Sequence, residues 1–509
     1  MNQRNRETPG QNQPGGANFS RAAQNRSASD GQVHGHGDHG QDGRNHYSGN
    51  QNFRNQGEHD QDACSQGVQT RTAYHRTIRK SIHFLTGMAL FGLTFLLDQP
   101  ALLAVIMAGS LFAFASYWSE SFRLLHKTGS QSLGTLFYPL GVLSAFILLY
   151  QMPAEYFRAA LLTLTVSDTM ANFFGRIRKG NIEFQPLRED KSLYGVLAFA
   201  ISTFVIFYLL LPESTVLHYL ILATMLAVVF EIFSWRGSDN LSIPLGSALF
   251  FIVMHRHESD LVFLILLVLV AGFGGWLLYR FRMLEKQASA LAFFLAVYFT
   301  GVLGFSWLIP VVSFFVTSVL FTIIRAKRSN RPSALRGRNT WQVLANSVWA
   351  ILFSAAWLIT GDDVLILFFV SVVAAVTADT WASEIGPMFH RRCFSLYHKK
   401  MKPSGINGGV SAAGSLAALA GAFFIAGMSF WLFAPVIDPG LVLLLTLAGF
   451  MASFADSVLG AFAEDILEKW LGSLGNVNGI TANDLINVMG SLAAPLLLIT
   501  GIILLEIIR

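Results

Sequence analysis

Residues 81–118 read SIHFLTGMALFGLTFLLDQPALLAVIMAGSLFAFASYW, two apolar runs hinged at Asp98-Gln99-Pro100. Each run has the roughly 20 residues that a helix needs to cross a bilayer core. In lipid every backbone amide must find its partner inside the segment, so such runs are helices. The pattern recurs along the chain. Spans are expected near 81–98, 100–118, 132–150, 156–174, 192–212, 215–233, 242–254 and 259–279, and then near 287–304, 306–324, 342–360, 363–382, 409–431, 441–462 and 484–507. The expected fold is therefore an all-α polytopic membrane protein of about fifteen helices.

Composition agrees. The chain is 53% hydrophobic and 13% charged over 509 residues, whereas soluble domains are roughly a quarter charged. Its 43 Phe suit lipid-facing surfaces and interfacial belts. The net charge of +5 is carried in short basic clusters between apolar runs, which excludes a continuous basic face for nucleic acid. Cys64 and Cys393 are far apart and imply no disulfide framework. The first apolar run starts too late and is too long for a signal-peptide core, so none is expected. Residues 1–70 are rich in Gln, Asn, Gly, Ser and His, a composition that cannot offset its ordering entropy, and are expected to be a disordered tail. Its His34-Gly35-His36-Gly37-Asp38-His39 cluster has nothing beside it to fix a metal geometry.

The loops set the topology. Lys and Arg concentrate in 71–80, 123–127, 176–191, 279–286, 325–338 and 391–402, while the alternate turns carry few or none; His255-Arg256-His257 is the exception. Counting spans places the basic loops on one side, which is the cytoplasmic side by the positive-inside rule, together with the N-terminus.

Polar residues at span ends are costly in lipid and point to function. Here they recur in register. Asp168-Thr169-Met170-Ala171-Asn172 ends one span, a basic loop with Arg176 follows, and Lys191-Ser192-Leu193-Tyr194-Gly195 opens the next; Glu231 and Asp239-Asn240 come later. In the second half Asp379-Thr380-Trp381-Ala382-Ser383-Glu384 ends a span, and after a basic loop Gly408-Gly409-Val410-Ser411 leads to Gly414. Asp456 and Asn483-Asp484 with Asn487 complete the order. Two copies of one arrangement are expected, as in repeat-built membrane folds. A lone Asp at a helix end is often a cap, and one Ser-x-x-Gly is often only close helix packing. The joint repetition is what points to chemistry.

That chemistry is narrow. A Ser-x-x-Gly helix start offers free amides, a hydroxyl and the positive end of the helix dipole, all suited to phosphate. Asp168 and Asn172, and Asp379 and Ser383, share helix faces four residues apart, whereas Glu384 would join Asp379 only where the helix end unwinds. Oxygen ligands from several helices suit Mg²⁺, which commonly uses one or two carboxylates with substrate phosphates. Arg176, Lys191, Lys399, Lys400 and Lys402 could balance a nucleoside triphosphate.

The motifs carry two resemblances. Residues 79–256, with Arg79-Lys80-x-x-His83, Asp168-Thr169-x-Ala171, Gly175-Arg176, Lys191-Ser192-x-x-Gly195, Glu231 and Asp239-Asn240-x-x-x-Pro244, resemble the membrane prenol kinase family of phytol and dolichol kinases. Residues 287–509 resemble the DUF92 family, which includes phytyl-phosphate kinase and transmembrane protein 19, through Arg338-Asn339, Asn346, the Asp379 segment, Gly408-Gly409-Val410-Ser411, Asp456 and Asn487. Residues 257–286 connect them. The resemblance implies that the first half phosphorylates an isoprenoid alcohol, commonly from CTP, and the second half converts the monophosphate to the diphosphate. It casts Asp168, Asp239, Asp379 and Asp456 as metal ligands or general bases, with Glu231, Asn240, Glu384 and Asp484 as further ligands. Arg176, Lys191, Ser192, Gly195, Lys402, Gly408, Gly409 and Ser411 would hold nucleotide or phosphate, and His83, Arg338, Asn339, Asn346 and Asn487 would support the sites. Nucleotidyl transfer to a lipid phosphate, and lipid-phosphate transport, are the alternatives.

Overall fold

The computed structural model describes residues 80–118, 134–176, 191–212, 216–234, 237–257, 260–329, 337–389, 392–404, 408–473 and 479–508. The His34–His39 cluster and the Arg176 side chain lie outside the described residues. All described residues belong to one compact unit, 67–509.

The helices in chain order are α1 (80–93), α2 (Gln99–Trp118), α3 (Gly134–Leu148), α4 (Ala154–Leu162), α5 (Asp168–Arg176), α6 (Leu193–Leu210), α7 (Leu217–Phe233), α8 (Asp239–Arg256) and α9 (Leu261–Arg280). Next come α10 (Lys286–Val297), α11 (Phe305–Ser329), α12 (Thr340–Thr360), α13 (Val364–Phe389), α14 (Ala412–Leu432), α15 (Pro439–Phe462), α16 (Glu464–Ser473) and α17 (Ala482–Ile508). Among the described residues, ten helices are long and apolar enough to cross a membrane, and two shorter apolar helices lie at Gly134–Leu148 and Leu217–Ile232. The protein is an all-α polytopic membrane protein, as its apolar runs imply.

Four local features depart from the expectation. The expected span at 156–174 contains a π turn at Thr163–Ser167, immediately before Asp168. The short 242–254 segment is part of an 18-residue helix that begins at Asp239 itself. Helix α13 continues to Phe389 rather than ending near 382. A small sheet, β1 (Arg392–Ser395), β2 (Lys400–Pro403) and β3 (Gly409–Val410), occupies the basic loop in the order β2-β1-β3, and α16 follows α15. Both lie in the polar segments between spans, where an apolar-run criterion is blind.

One apolar core runs through both halves, including Phe146, Phe251, Phe299, Phe369, Ile425 and Leu445. Lipid tails are as apolar as Leu, so close packing and small residues hold such helices together. Gly449 meets Ala374, and Gly421 meets the Trp381 ring. Helix α13 is the most enclosed of the ten spanning helices, with 67% of its window buried, so Asp379 is carried on the central helix of the second half.

The basic exception at His255-Arg256-His257 has an internal use. At the second π turn, Tyr298–Leu303, Arg256 Nη1 donates to Val302 O, and His257 Nε2 lies 3.2 Å from Gly301 O. These side chains tie α8 to the π turn of the second half. Arg256→Ala should cost about 1 kcal/mol for the lost bond, read as a lowered unfolding temperature in detergent.

Candidate active sites

The first cluster forms where the start of α5 and the end of α7 meet the starts of α1, α6 and α8. The π turn displaces the helix register just ahead of Asp168, a device frequent at functional sites. Asp168 Oδ2 is ion-paired with Lys80 Nζ at the start of α1, and Oδ1 accepts from Asn172 Nδ2 at 2.9 Å. Lys80 Nζ also stands 3.9 Å from Asp239 Oδ2. Lys191 Nζ pairs with Glu231 Oε1 and donates to Ser234 Oγ at 3.1 Å. Burial opposes the Lys191 charge, but the carboxylates of Glu231 and Asp239 outweigh it and hold the ammonium above its ordinary range.

Oxygens of Asp168, Glu231 and Asp239 lie within 4.8 Å of one another. Asn240 Nδ2 donates to Gly134 O at 2.9 Å, while Asn240 Oδ1 and Glu231 Oε2 are buried without a hydrogen-bond partner. An all-oxygen donor set with two orphaned buried acceptors fits a hard divalent cation such as Mg²⁺.

Beside this cluster Ser192 caps α6, accepting from Gly195 N at 3.1 Å. Helices α5 and α6 approach so closely that a Cβ on Gly195 would sit 2.8 Å from Ala171 O, and one on Gly175 would sit 3.0 Å from Ser192 Oγ. The second half repeats the arrangement. Ser411 accepts from Gly414 N at 3.1 Å, a Cβ on Gly414 would meet Ala382 O at 3.3 Å, and one on Gly386 would meet Ser411 Oγ at 3.1 Å. Ala171, Gly175, Ser192 and Gly195 thus correspond in space to Ala382, Gly386, Ser411 and Gly414. The contact of α5 with α6 and that of α13 with α14 are built alike.

In the second half the same helix ends enclose a cavity of about 440 Å³. Asp379 and Asp456 line it side by side. Two carboxylates that close need a proton or a cation between them. Asn346, Gly408, Gly409, Ser411 and Asn487 line the same space. Glu384 reaches it as well, but not by unwinding. Helix α13 stays helical past it, and its carboxylate accepts from Thr322 Oγ1 at 3.0 Å and lies 3.3 Å from Arg325 Nε. Arg338 also faces the cavity; burial draws its guanidinium below the usual range, with Glu384 opposing the shift.

Other expected residues lie elsewhere. Asn339 closes a capping box with Gln342 at the start of α12. Asp484 Oδ2 accepts from Thr481 N and Oγ1, both at 2.8 Å, as a turn at the start of α17. Lys402 sits on β2 and does not line the cavity, and Lys399 and Lys400 are exposed on the hairpin. His83 stacks on Tyr138 at 4.5 Å, one turn beyond Lys80. Lys80 belongs to the Arg79-Lys80-x-x-His83 pattern, whereas Arg325, in a basic loop, and Thr322, in a span, carry no motif that marks them as site residues.

Gly408 takes φ +68°, and a Cβ there would collide with the backbone of Ala461 on α15. Gly408→Ala should cost about 1–2 kcal/mol from the left-handed backbone alone, read as a lowered unfolding temperature in detergent.

The DUF92 family of integral membrane proteins matches residues 264–494. Phytol kinase of Synechocystis sp. is 30% identical over 182 residues, covering 34% of this chain and 76% of that protein. Protein VTE6, chloroplastic, of Arabidopsis thaliana is 32% identical over 136 residues, 26% of this chain and 37% of that protein. An uncharacterized membrane protein of Methanocaldococcus jannaschii is 29% identical over 210 residues, 40% and 85% of the two chains. No solved structure matches the chain. With a DUF92 segment inside its membrane domain and a phytol kinase related over most of that enzyme's length, the chain belongs to the DUF92 family of integral membrane proteins and their phytol kinase relatives.

Proposed function

We propose that this chain is a bifunctional membrane lipid kinase that phosphorylates an isoprenoid alcohol to the monophosphate at the first cluster and to the diphosphate at the second. The observation that carries the reading is the repeat itself. Two sets of carboxylates and cations each stand against a Ser-capped helix start, in a chain related to phytol kinase.

At each site a nucleoside triphosphate, CTP in this reading, donates its terminal phosphoryl group. The acceptor oxygen forms the new P–O bond, the bridging P–O bond breaks, and the nucleoside diphosphate leaves. Asp168, Glu231 and Asp239 would hold Mg²⁺ in the first half, and Asp379 and Asp456 in the second; the cation supplies neutralisation of phosphate charge. Lys80 and Lys191, paired with carboxylates here, are placed to turn to phosphate oxygens, and Arg325 and Arg338 serve that part in the second site. Asp239 and Asp456 are the candidates to accept the acceptor's proton where it carries one. The free amides at the starts of α6 and α14 favour phosphate at both.

In this reading both clusters open on the side of the basic loops, taken as cytoplasmic. A monophosphate on one lipid chain is weakly anchored, and a fused second site raises its effective concentration. The direct test is purified protein in lipid nanodiscs with CTP, Mg²⁺ and phytol, geranylgeraniol or farnesol, following lipid products by mass spectrometry. Monophosphate followed by diphosphate, with release of CDP, is the expected result. Release of pyrophosphate would mean nucleotidyl transfer, and absence of any phosphorylated lipid would overturn the reading.

A further inference from the structure

The hairpin over the second cavity has two unlike faces. On β1, Cys393 and Ser395 are buried, and Cys393 lines the cavity; Arg392 and Phe394 are exposed on the other face. Phe394 is paired in register with Met401 of β2, which is 51% exposed. Tyr397 at the hairpin end makes an edge contact with Phe462, ring centroids 5.9 Å apart. Phe462 ends α15, and on α16 the exposed Ile466 and Trp470, 67% and 48% accessible, follow four residues apart on one face. Asp465, Glu468, Lys469 and Gly472 occupy the remaining exposed positions described on α16. An apolar ridge therefore runs from the hairpin to α16, beyond the ends of the spanning helices.

Exposed apolar side chains on a spanning helix are ordinary lipid contacts, but these are not on spans. Chain length restricts what they can meet. The hairpin begins three residues after α13 ends at Phe389, and α16 begins two residues after α15 ends at Phe462. Neither element has enough chain to rise far from the level at which its membrane helix ends. An amphipathic helix with Trp at its apolar face, and a hairpin mixing Phe, Tyr and Met with Arg392, Lys399 and Lys400, carry the composition of elements that lie in the headgroup layer.

We propose that the hairpin and α16 form a membrane-surface platform, with Phe394, Met401, Ile466 and Trp470 seated at the headgroup–acyl boundary of the leaflet next to the second site. Because the hairpin's inner face lines the cavity, the leaflet then holds the roof of that site in place. The two parts differ in charge: the hairpin is basic and is drawn to anionic headgroups, whereas α16, with Glu464, Asp465 and Glu468 against Lys469, is not. The inference rests on the membrane fold and is independent of phosphoryl transfer.

The test is site-directed spin labelling of the full chain in nanodiscs, in a Cys64→Ser background with the buried Cys393 left in place. Labels go at Phe394→Cys, Met401→Cys, Ile466→Cys and Trp470→Cys, with Glu468→Cys as the aqueous control. The four ridge labels should collide more with oxygen than with a water-soluble nickel chelate, and the control should show the reverse. Adding anionic lipid to zwitterionic discs should deepen 394 and 401 and leave 466 and 470 unchanged. Nickel-dominated collisions at the ridge would overturn the proposal, as would dipolar broadening between copies that rises with protein density, which would make the ridge a self-association surface. Equal depth of 394 and 401 in both lipids would refute the electrostatic half.

Discussion

Asp168→Asn should lower formation of prenyl monophosphate by at least about 10²–10³-fold, the loss seen when a group that stabilises transition-state charge is removed. The substitution keeps the shape of the side chain but deletes the negative charge that pairs with Lys80 and that forms one corner of the three-carboxylate cluster. Breaking one partner of a buried ion pair also costs stability, about 3–5 kcal/mol in the general case. Here the cost should be smaller, because Lys80 Nζ already stands 3.9 Å from Asp239 Oδ2 and can turn to it. The second half provides an internal control for folding. The variant should convert added prenyl monophosphate and CTP to diphosphate at the wild-type rate, measured in the same nanodiscs. Loss of both activities would mean misfolding, and retention of both would remove Asp168 from the chemistry.

How much of this was visible beforehand follows from what each signal depends on. Apolar run length is a local property with a clear physical cause, so the spans, and with them the fold class, could be read directly. The helix starts at Ser192 and Ser411 were equally legible, since a Ser cap three residues before Gly is a short-range pattern, and both caps form. Partnerships across the bundle were not. Lys80 meets Asp168 from 88 residues away, and no periodicity encodes that meeting. The same holds for Arg325 beside Glu384, where a basic residue counted for topology lies against the carboxylate of another helix. Asp484 is ambiguous for the opposite reason: a carboxylate near a helix start reads alike whether it serves a ligand or its own Thr481 turn, and here Oδ2 takes the turn while Oδ1 stays buried without a partner. The hairpin and α16 lie in polar segments, where neither span length nor alternation is strong enough to show them.

Asp379→Asn should separate the two reactions in the other direction, with monophosphate accumulating from prenol while conversion of added monophosphate falls by a similar factor. The expectation rests on Asp379 and Asp456 lining the cavity side by side. An amide at 379 can donate to the carboxylate of Asp456, so no buried charge is stranded. Folding should therefore be spared, and the damage confined to the affinity for a divalent cation, which prefers two anionic oxygens there. Raising Mg²⁺ should recover part of the rate in Asp379→Asn, because weakened binding responds to concentration, whereas a lost general base does not. The same titration should leave Asp456→Asn unrescued if Asp456 takes the acceptor's proton. Diphosphate made by Asp379→Asn at the wild-type rate would sink the assignment of the second step to this half. Were both variants rescued to the same degree, Asp379 and Asp456 would share one role as ligands, and the proton would have to leave by another route.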